Sequence, residues 1–332
     1  MVIRISKLFL RKVTVFCLPL FVFLFSLFFA PFYYDGDSIP YNLAYDAIGA
    51  SSASFFDTFP IYKHNVNGSV IHYLYIWIGS SLGLERGLIM AVANSILAYL
   101  MMRLFLQWRV SIYIALVVIL TNYYILGLYF AAERLKFGFI FLLLALIYNT
   151  KPKLSLVFAV TSIFAHAQQV LIYTSVLFSS MMSNFLFTLK TGKLSRKSAY
   201  SLIIIAVITL IVLFYLGNNI FVKFITYKNH HFNNVTLLNV SLSLVKTLLL
   251  FLLCLRYSKA RLEVIFIFVI LLLASMLVGP DRVNMISFSF FMFYALQYKN
   301  GFNIGILLTS CYFAWKSVHF ISQVLATGQG YG

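Results

Sequence analysis

The sequence predicts an all-α protein that crosses a membrane many times, and three observations predict it. Of its 332 residues 62% are hydrophobic and only 10% charged, with a mean hydropathy of +0.94, a balance that no water-soluble domain of this length shows. Apolar runs of roughly 16–22 residues recur from end to end, the length that a helix rising 1.5 Å per residue needs to cross hydrocarbon. Aromatic residues make up 18% of the chain, and many Tyr and Trp stand near run ends, where interfacial belts place them.

Taken in order, Arg4, Lys7, Arg11 and Lys12 form a basic flank before a first span, Val13–Phe32, which keeps the N-terminus cytoplasmic. The full spanning length and the poor Ala30-Pro31 cleavage site argue against a removed signal peptide. From Tyr33 to Asn67 the chain is polar and acidic, a first loop on the far side. Val70–Leu84 is apolar but only about 15 residues long, at the edge of spanning length. Further spans are read at Gly87–Phe105, Val110–Phe130, Arg134–Tyr148, Leu154–Ala165, Ala167–Leu189, Ala199–Gly217, Asn239–Arg256, Leu262–Gly279, Asn284–Tyr298 and Phe302–Ile321. That makes about eleven crossings in a single integral membrane domain over residues 1–332. A second far-side loop covers 218–239, and a tight third one holds Pro280, Asp281 and Arg282.

The net charge of +17 is read as a topology signal before it is read as a nucleic-acid signal. If Val70–Leu84 stays at the surface or re-enters, roughly sixteen basic residues face the cytoplasm and eight face out. If it crosses, the split becomes roughly eleven against thirteen. The first arrangement is expected, so 33–86 forms one outer loop with a membrane-associated segment, and every acidic residue but Glu263 faces out.

The stretch Ala131–Gln168 focuses the functional question. Lys151-Pro152-Lys153 is the turn of a helical hairpin, since proline ends one helix and opens the next. Arg134 and His166 both lie roughly 20–25 Å from that turn, at the same end of the hairpin and opposite the lysines. The outer rim then collects Asp35, Asp37, Glu133, Arg134, His166, Asp281 and Arg282, with Lys223, Lys228, His230 and His231 beyond them. Charges at a membrane edge need partners or a wet cavity. Each carboxylate is as well explained by an ion pair with a neighbouring arginine as by chemistry, and a lone histidine is more often a packing residue. Their convergence on one face favours a site.

Spacing excludes several chemistries. The chain has no phosphate loop of the G-x-x-x-x-G-K-[ST] type, no HExxH, no Cys/His cluster of metal-ligand spacing and no G-x-S-x-G elbow. No cofactor or metal is expected. Two arginines suit an anionic ligand such as a phosphate, and a carboxylate and a histidine beside them suit transfer from a phosphate leaving group.

Four local patterns carry a resemblance: Asp37-x-x-x-Tyr41-x-x-x-Tyr45 after the first span, Arg134 opening a helix after a Tyr/Phe-rich run, the Phe164-Ala165-His166 ending, and Asp281-Arg282 opening a late helix. In these the chain resembles the EpsG-like and Wzy-type polysaccharide polymerases of bacterial inner membranes. The family's arginine is usually followed by glutamine; here Arg134-Leu135 follows Glu133. The resemblance implies a fold like that of GT-C glycosyltransferases, with an extended first periplasmic loop. It implies a multi-pass inner-membrane enzyme whose active face is periplasmic, and which joins undecaprenyl-pyrophosphate-linked oligosaccharides into O-antigen or capsule. Asp37 or His166 would be the base, and Arg134 and Arg282 would hold the diphosphate. Asp35, Tyr41, Tyr45, Glu133, Lys223, Lys228, His230 and Asp281 would contact substrate. Membrane lipid, a chain-length regulator and a flippase would be the partners, with no nucleic acid. Competing readings are another lipid-linked sugar transferase, for example one using undecaprenyl-phosphate glucose, and a lipid-oligosaccharide flippase. A flippase would carry charges deep in its helices, where the sequence places only Lys246.

Overall fold

A computed structural model describes residues 7–51, 54–66, 68–191, 237–277 and 280–330. The described residues are helical throughout, with no strand among them. They divide into two compact units, residues 1–169 with 299–332 and residues 170–298.

The first unit is built on α5 (Arg86–Gln107), 22 residues or about 33 Å long, enough to cross a bilayer core. Its long buried face, from Ile89 to Phe105, packs against α1 (Lys7–Phe29) on one side and α8 (Glu133–Ile147) on another. The outward face of α1 shows Phe16, Leu20, Phe21, Leu24 and Phe28, an apolar surface suited to lipid. α1 ends where Pro31 follows Ala30, in a short 3-10 turn. α8 and α9 (Pro152–Ala165) form the hairpin read from the sequence, with Pro152 at the first helical position and Ser155 Oγ donating to Ala145 O across it at 2.8 Å. α14 (Ile304–Thr327), capped by Asn303 and stopped by Gly328 in a left-handed conformation, lies on α6 and α7.

Two expectations change in this unit. The Val110–Phe130 span is broken into α6 (Ile112–Thr121) and α7 (Tyr123–Phe130), bent by 54°. Asn122 makes the break: its Oδ1 accepts from the backbone N–H groups of Tyr124 and Ile125, at 3.0 and 3.3 Å, and so starts a new helix. The acidic stretch after α1 is not open loop. It folds into α2 (Ser38–Gly49) and α3 (Phe55–Val66), followed by α4 (Val70–Ser81). Tyr41, Ala44, Tyr45 and Ile48 fall at helical spacing and supply the buried face of α2. α4 has 12 residues, about 18 Å, well short of a crossing. It buries His72, Tyr73, Ile76, Gly79 and Ser80 and exposes an apolar stripe of Val70, Leu74, Ile78 and Leu82.

The second unit contains α10 (Gln169–Thr191), which opens at the boundary residue, α11 (Leu237–Tyr257), α12 (Arg261–Leu277) and α13 (Pro280–Gln297). α11 packs on both α12 and α13. Thr247 Oγ1 donates to Asn284 Oδ1 at 2.8 Å between α11 and α13, and Ser179 Oγ to Glu263 O at 3.0 Å between α10 and α12. α13 begins one turn before the expected Asn284, so Asp281 and Arg282 stand in its first turn behind Pro280.

Among the described residues, four helices are long and apolar enough to cross a membrane: Arg11–Phe32, Arg86–Gln107, Gln169–Thr191 and Ile304–Thr327. The bent α6–α7 pair would make a fifth. The described residues therefore form an all-helical fold with several helices long and apolar enough to span a membrane. The expected span Ala199–Gly217 lies outside the described residues, as does the 218–239 loop except for Leu237–Asn239, which open α11.

Candidate functional site: a buried charge network at the head of α5 and α8

The starts of α5 and α8 lie side by side, and α2, α3 and α4 close over them. Helix starts favour anions, because their first N–H groups have no partner within the helix and the dipole points there. Glu133 takes that position in α8, 4% exposed. Its Oε1 accepts from Arg86 Nη2, at the first turn of α5. Arg86 Nη1 donates to Asn42 Oδ1 on α2 at 2.5 Å, and its guanidinium lies 5.7 Å from the centre of the Tyr41 ring.

The other carboxylate oxygen, Glu133 Oε2, faces His72 Nε2 at 3.6 Å, beyond hydrogen-bond length. His72 is fully buried on α4 and shares a 2.8 Å hydrogen bond between Nδ1 and the Tyr62 hydroxyl of α3. Burial holds this imidazole below the usual histidine range, outweighing the opposing pull of Glu133. A neutral ring with its proton on Nε2, toward the carboxylate, accepts from Tyr62 at Nδ1, so Tyr62, His72, Glu133 and Arg86 stand in a line. Gly68 lets Tyr62 in: a Cβ there would lie 1.8 Å from the tyrosine oxygen.

Arg134 is the next residue on α8, turned about 100° from Glu133. Its Nε donates to Tyr41 Oη at 3.1 Å and its Nη1 to Val66 O, the last residue of α3, at 3.0 Å. It thus ties α2 and α3 to α8. Lys136, two residues further, has no exposed surface; its Nζ donates to Tyr129 O at 3.0 Å near the C-terminal end of α7, where a cation also suits the helix dipole.

The expected site residues divide as follows. Tyr41, Glu133 and Arg134 are in this network. Tyr45 is adjacent, its hydroxyl donating to Leu84 O at 2.6 Å just before α5. Asp37 is exposed at the start of α2, with no side-chain capping bond. Its charge reaches Tyr33, whose phenol is held above the usual tyrosine range by burial first and Asp37 second. Asp35 Oδ1 accepts from Gly36 N at 2.7 Å, and Asp35 N donates to Gly328 O at 3.0 Å after α14. His166 ends α9 in extended conformation, its Nδ1 accepting from Gln168 N at 3.1 Å. It lies against Gly138, where a Cβ would come within 3.1 Å of the histidine Cβ. Gly138 is one turn below Arg134, so the two are at the same end of the hairpin. Arg282 is exposed on α13 in the second unit, beside Asp281 in sequence. Lys223, Lys228 and His230 lie outside the described residues. Among the described residues no three His, Cys, Asp or Glu side chains group as a metal site.

Sequence reasoning missed Arg86, His72, Tyr62, Asn42 and Lys136. Arg86 carried a signal, since Glu85-Arg86 opens a clear span where a charge needs a partner. His72 and Lys136 carried a weaker one, each a titratable residue in an apolar run.

No protein family, curated protein or solved structure matches this chain. The arrangement itself therefore carries the chemical reading: a carboxylate, a neutral imidazole, two phenols and two guanidinium groups gathered at a helix-start mouth.

Proposed function

We propose that the chain is a membrane glycosyltransferase that joins undecaprenyl-pyrophosphate-linked oligosaccharide units into O-antigen or capsular polysaccharide. It would work at the periplasmic face of a bacterial inner membrane, with about eleven crossings and a GT-C-like layout. The observation that carries the reading is the gathering of Glu133, Arg86, His72 and Arg134 under the helices of the 33–86 segment. The short α4, with its outward apolar stripe, suits a segment lying along the membrane surface over that mouth.

In the reaction, an acceptor sugar hydroxyl oxygen bonds to the anomeric carbon of the lipid-linked chain. The bond from that carbon to the phosphate oxygen breaks, its electron pair leaves with undecaprenyl pyrophosphate, and the hydroxyl proton passes to a carboxylate. Asp37 is suited to take it because its carboxylate is exposed at the mouth; His166 is the rival base. Arg134 supplies the cation that stabilises the growing diphosphate charge at this mouth. Asp35, Tyr41 and Tyr45 complete the sugar contacts of this unit in this reading. A flippase and a chain-length regulator of the same route would be its partners.

The broken α6–α7 pair and the buried Lys136 favour one other reading, a lipid-oligosaccharide flippase, since broken helices and buried charge mark transport paths. The surface glycan of a deletion strain separates them. One repeat unit per lipid anchor means polymerase, no repeat unit means flippase, and full-length polymer lacking a branch means a side-chain transferase.

A further inference from the structure

Between α1, α5, α7 and α8 a half-open cleft runs inward from Arg86, Tyr33 and Glu133 to Tyr129, Asn94 and Ser26. Asn94 is eight residues beyond Arg86 on α5, about 12 Å deeper along the helix. Asn94 Nδ2 donates to Ser26 Oγ of α1 at 3.0 Å, so two spanning helices meet at a polar floor. The cleft volume is about 40 Å³, room for two or three waters or one hydroxymethyl-sized group.

Four lining residues each carry a buried polar atom without a hydrogen-bond partner: Arg86 Nε, Asn94 Oδ1, Tyr129 Oη and Glu133 Oε2. Leaving such an atom unpaired is unfavourable, and buried polar groups are otherwise nearly always paired. Their chemistry is mixed. Arg86 Nε donates, Asn94 Oδ1 and Glu133 Oε2 accept, and the Tyr129 hydroxyl does both. A phosphate would satisfy only the donors and would be repelled by Glu133. A hydroxyl donates one bond and accepts others, so it suits this set.

We propose that this cleft is a hydroxyl-recognition subsite that takes the edge of a sugar ring, with Arg86, Glu133, Tyr129 and Asn94 as its hydrogen-bonding groups. The naming of the ligand as a sugar rests on the glycosyltransferase reading; the hydroxyl chemistry rests on the cleft. Set at the mouth, Arg86 and Glu133 would then orient the acceptor, while Asn94 and Tyr129 read how deep a hydroxyl can reach.

The test uses the full-length protein in lipid nanodiscs and follows thermal unfolding with octyl glucoside below its micellar concentration. Octyl tetraoxyethylene, with the same tail and a head group of ether acceptors, is the control. Bound ligand raises the unfolding midpoint with concentration. Stabilisation by the glucoside beyond the control is expected for the native protein. Asn94→Leu and Tyr129→Phe should each weaken the apparent affinity by about tenfold. Thr161→Ala, which alters an exposed hydroxyl bonded to its own helix, should leave it unchanged. Equal stabilisation of native protein and both cleft variants would overturn the subsite, as would no difference between glucoside and control, meaning ordered water only. Neither outcome touches the glycosyltransferase reading, which the deletion-strain glycan decides separately. A cleft variant that does not fold is replaced by Ser26→Ala, which frees the floor amide and should shift glucoside affinity by a measurable factor.

Discussion

Removing the charge of Glu133 tests whether the network is a buried ion pair or a surface contact. The Arg86 side chain is 16% exposed and that of Glu133 6%. Glu133→Gln therefore leaves a guanidinium largely out of water without its counter-charge, a loss of about 3–5 kcal/mol in comparable buried pairs. The lower end is expected, because Asn42 and the Tyr41 ring still hold Arg86. With an unfolding entropy of about 2.1 cal/mol/K per residue, 3 kcal/mol lowers the midpoint by about 4 °C for the whole chain and about 7 °C if the first unit melts alone. The assay is a double-mutant cycle on the purified protein in nanodiscs with Glu133→Gln, Arg86→Gln and the pair. The double variant should be about as stable as the weaker single one, because the second change removes a charge already stranded. Additive losses below about 1 kcal/mol each, the range of exposed pairs, would refute the argument.

Four further outcomes follow from the same geometry. His72 is held neutral by burial, so its folded pKa lies below its unfolded value of about 6.5. The unfolded chain then takes up the proton first, and stability falls as pH drops through that value; the native-minus-His72→Gln midpoint difference between about pH 8 and pH 5 reads it, and a flat difference would remove it. Lys136→Met leaves Tyr129 O without its donor and should destabilise by about 1–3 kcal/mol, whereas full native stability would mean that the carbonyl has another partner. Arg134→Lys keeps the charge but cannot span both Tyr41 and Val66 O; polymer of reduced length at unchanged protein level is expected, and normal polymer would place the diphosphate contact elsewhere. Cysteine labelling should mark Lys151→Cys only from the cytoplasm, and labelling from outside would overturn the proposed orientation.

The all-helical class and four of the spans were legible from long apolar runs. Val70–Leu84 read as at the edge of spanning length, and α4 is a helix of 12 residues. The hairpin turn at Lys151-Pro152 was legible because proline both stops and starts helices. The helices of the acidic stretch were not read, although Tyr41, Ala44, Tyr45 and Ile48 have helical spacing, because polar neighbours mask a face that is buried against protein. The break at Asn122 resembled a single tolerated polar residue inside an apolar run. At the site, Glu133 and Arg134 stood out, but their partners did not. Adjacent helical residues point about 100° apart, so neighbours in sequence do not pair; Glu133 instead meets Arg86, 47 positions earlier. Such pairing is decided by packing of α5 on α8, which no local pattern records.

The broken helix explains which charges are structural. A short helix inside an apolar bundle leaves carbonyl and N–H groups at both ends that lipid cannot satisfy. At the start of α7, Asn122 takes the first N–H groups, and Ser317 Oγ of α14 donates to Thr121 O at 2.8 Å on the other side of the break. At its end, Lys136 takes Tyr129 O. Lys136 is thus committed to the backbone of α7, and the break needs no transport role to account for its buried charge. Arg134 gives one donor, Nη1, to the last carbonyl of α3. Glu133 and Arg86 differ, because each retains a buried atom without a hydrogen bond, and both of those atoms belong to residues lining the cleft behind Tyr33. Lys136 and Asn122 hold the shape of this region, and the hydrogen-bonding capacity left over for a ligand lies with Glu133, Arg86, Asn94 and Tyr129 around the cleft.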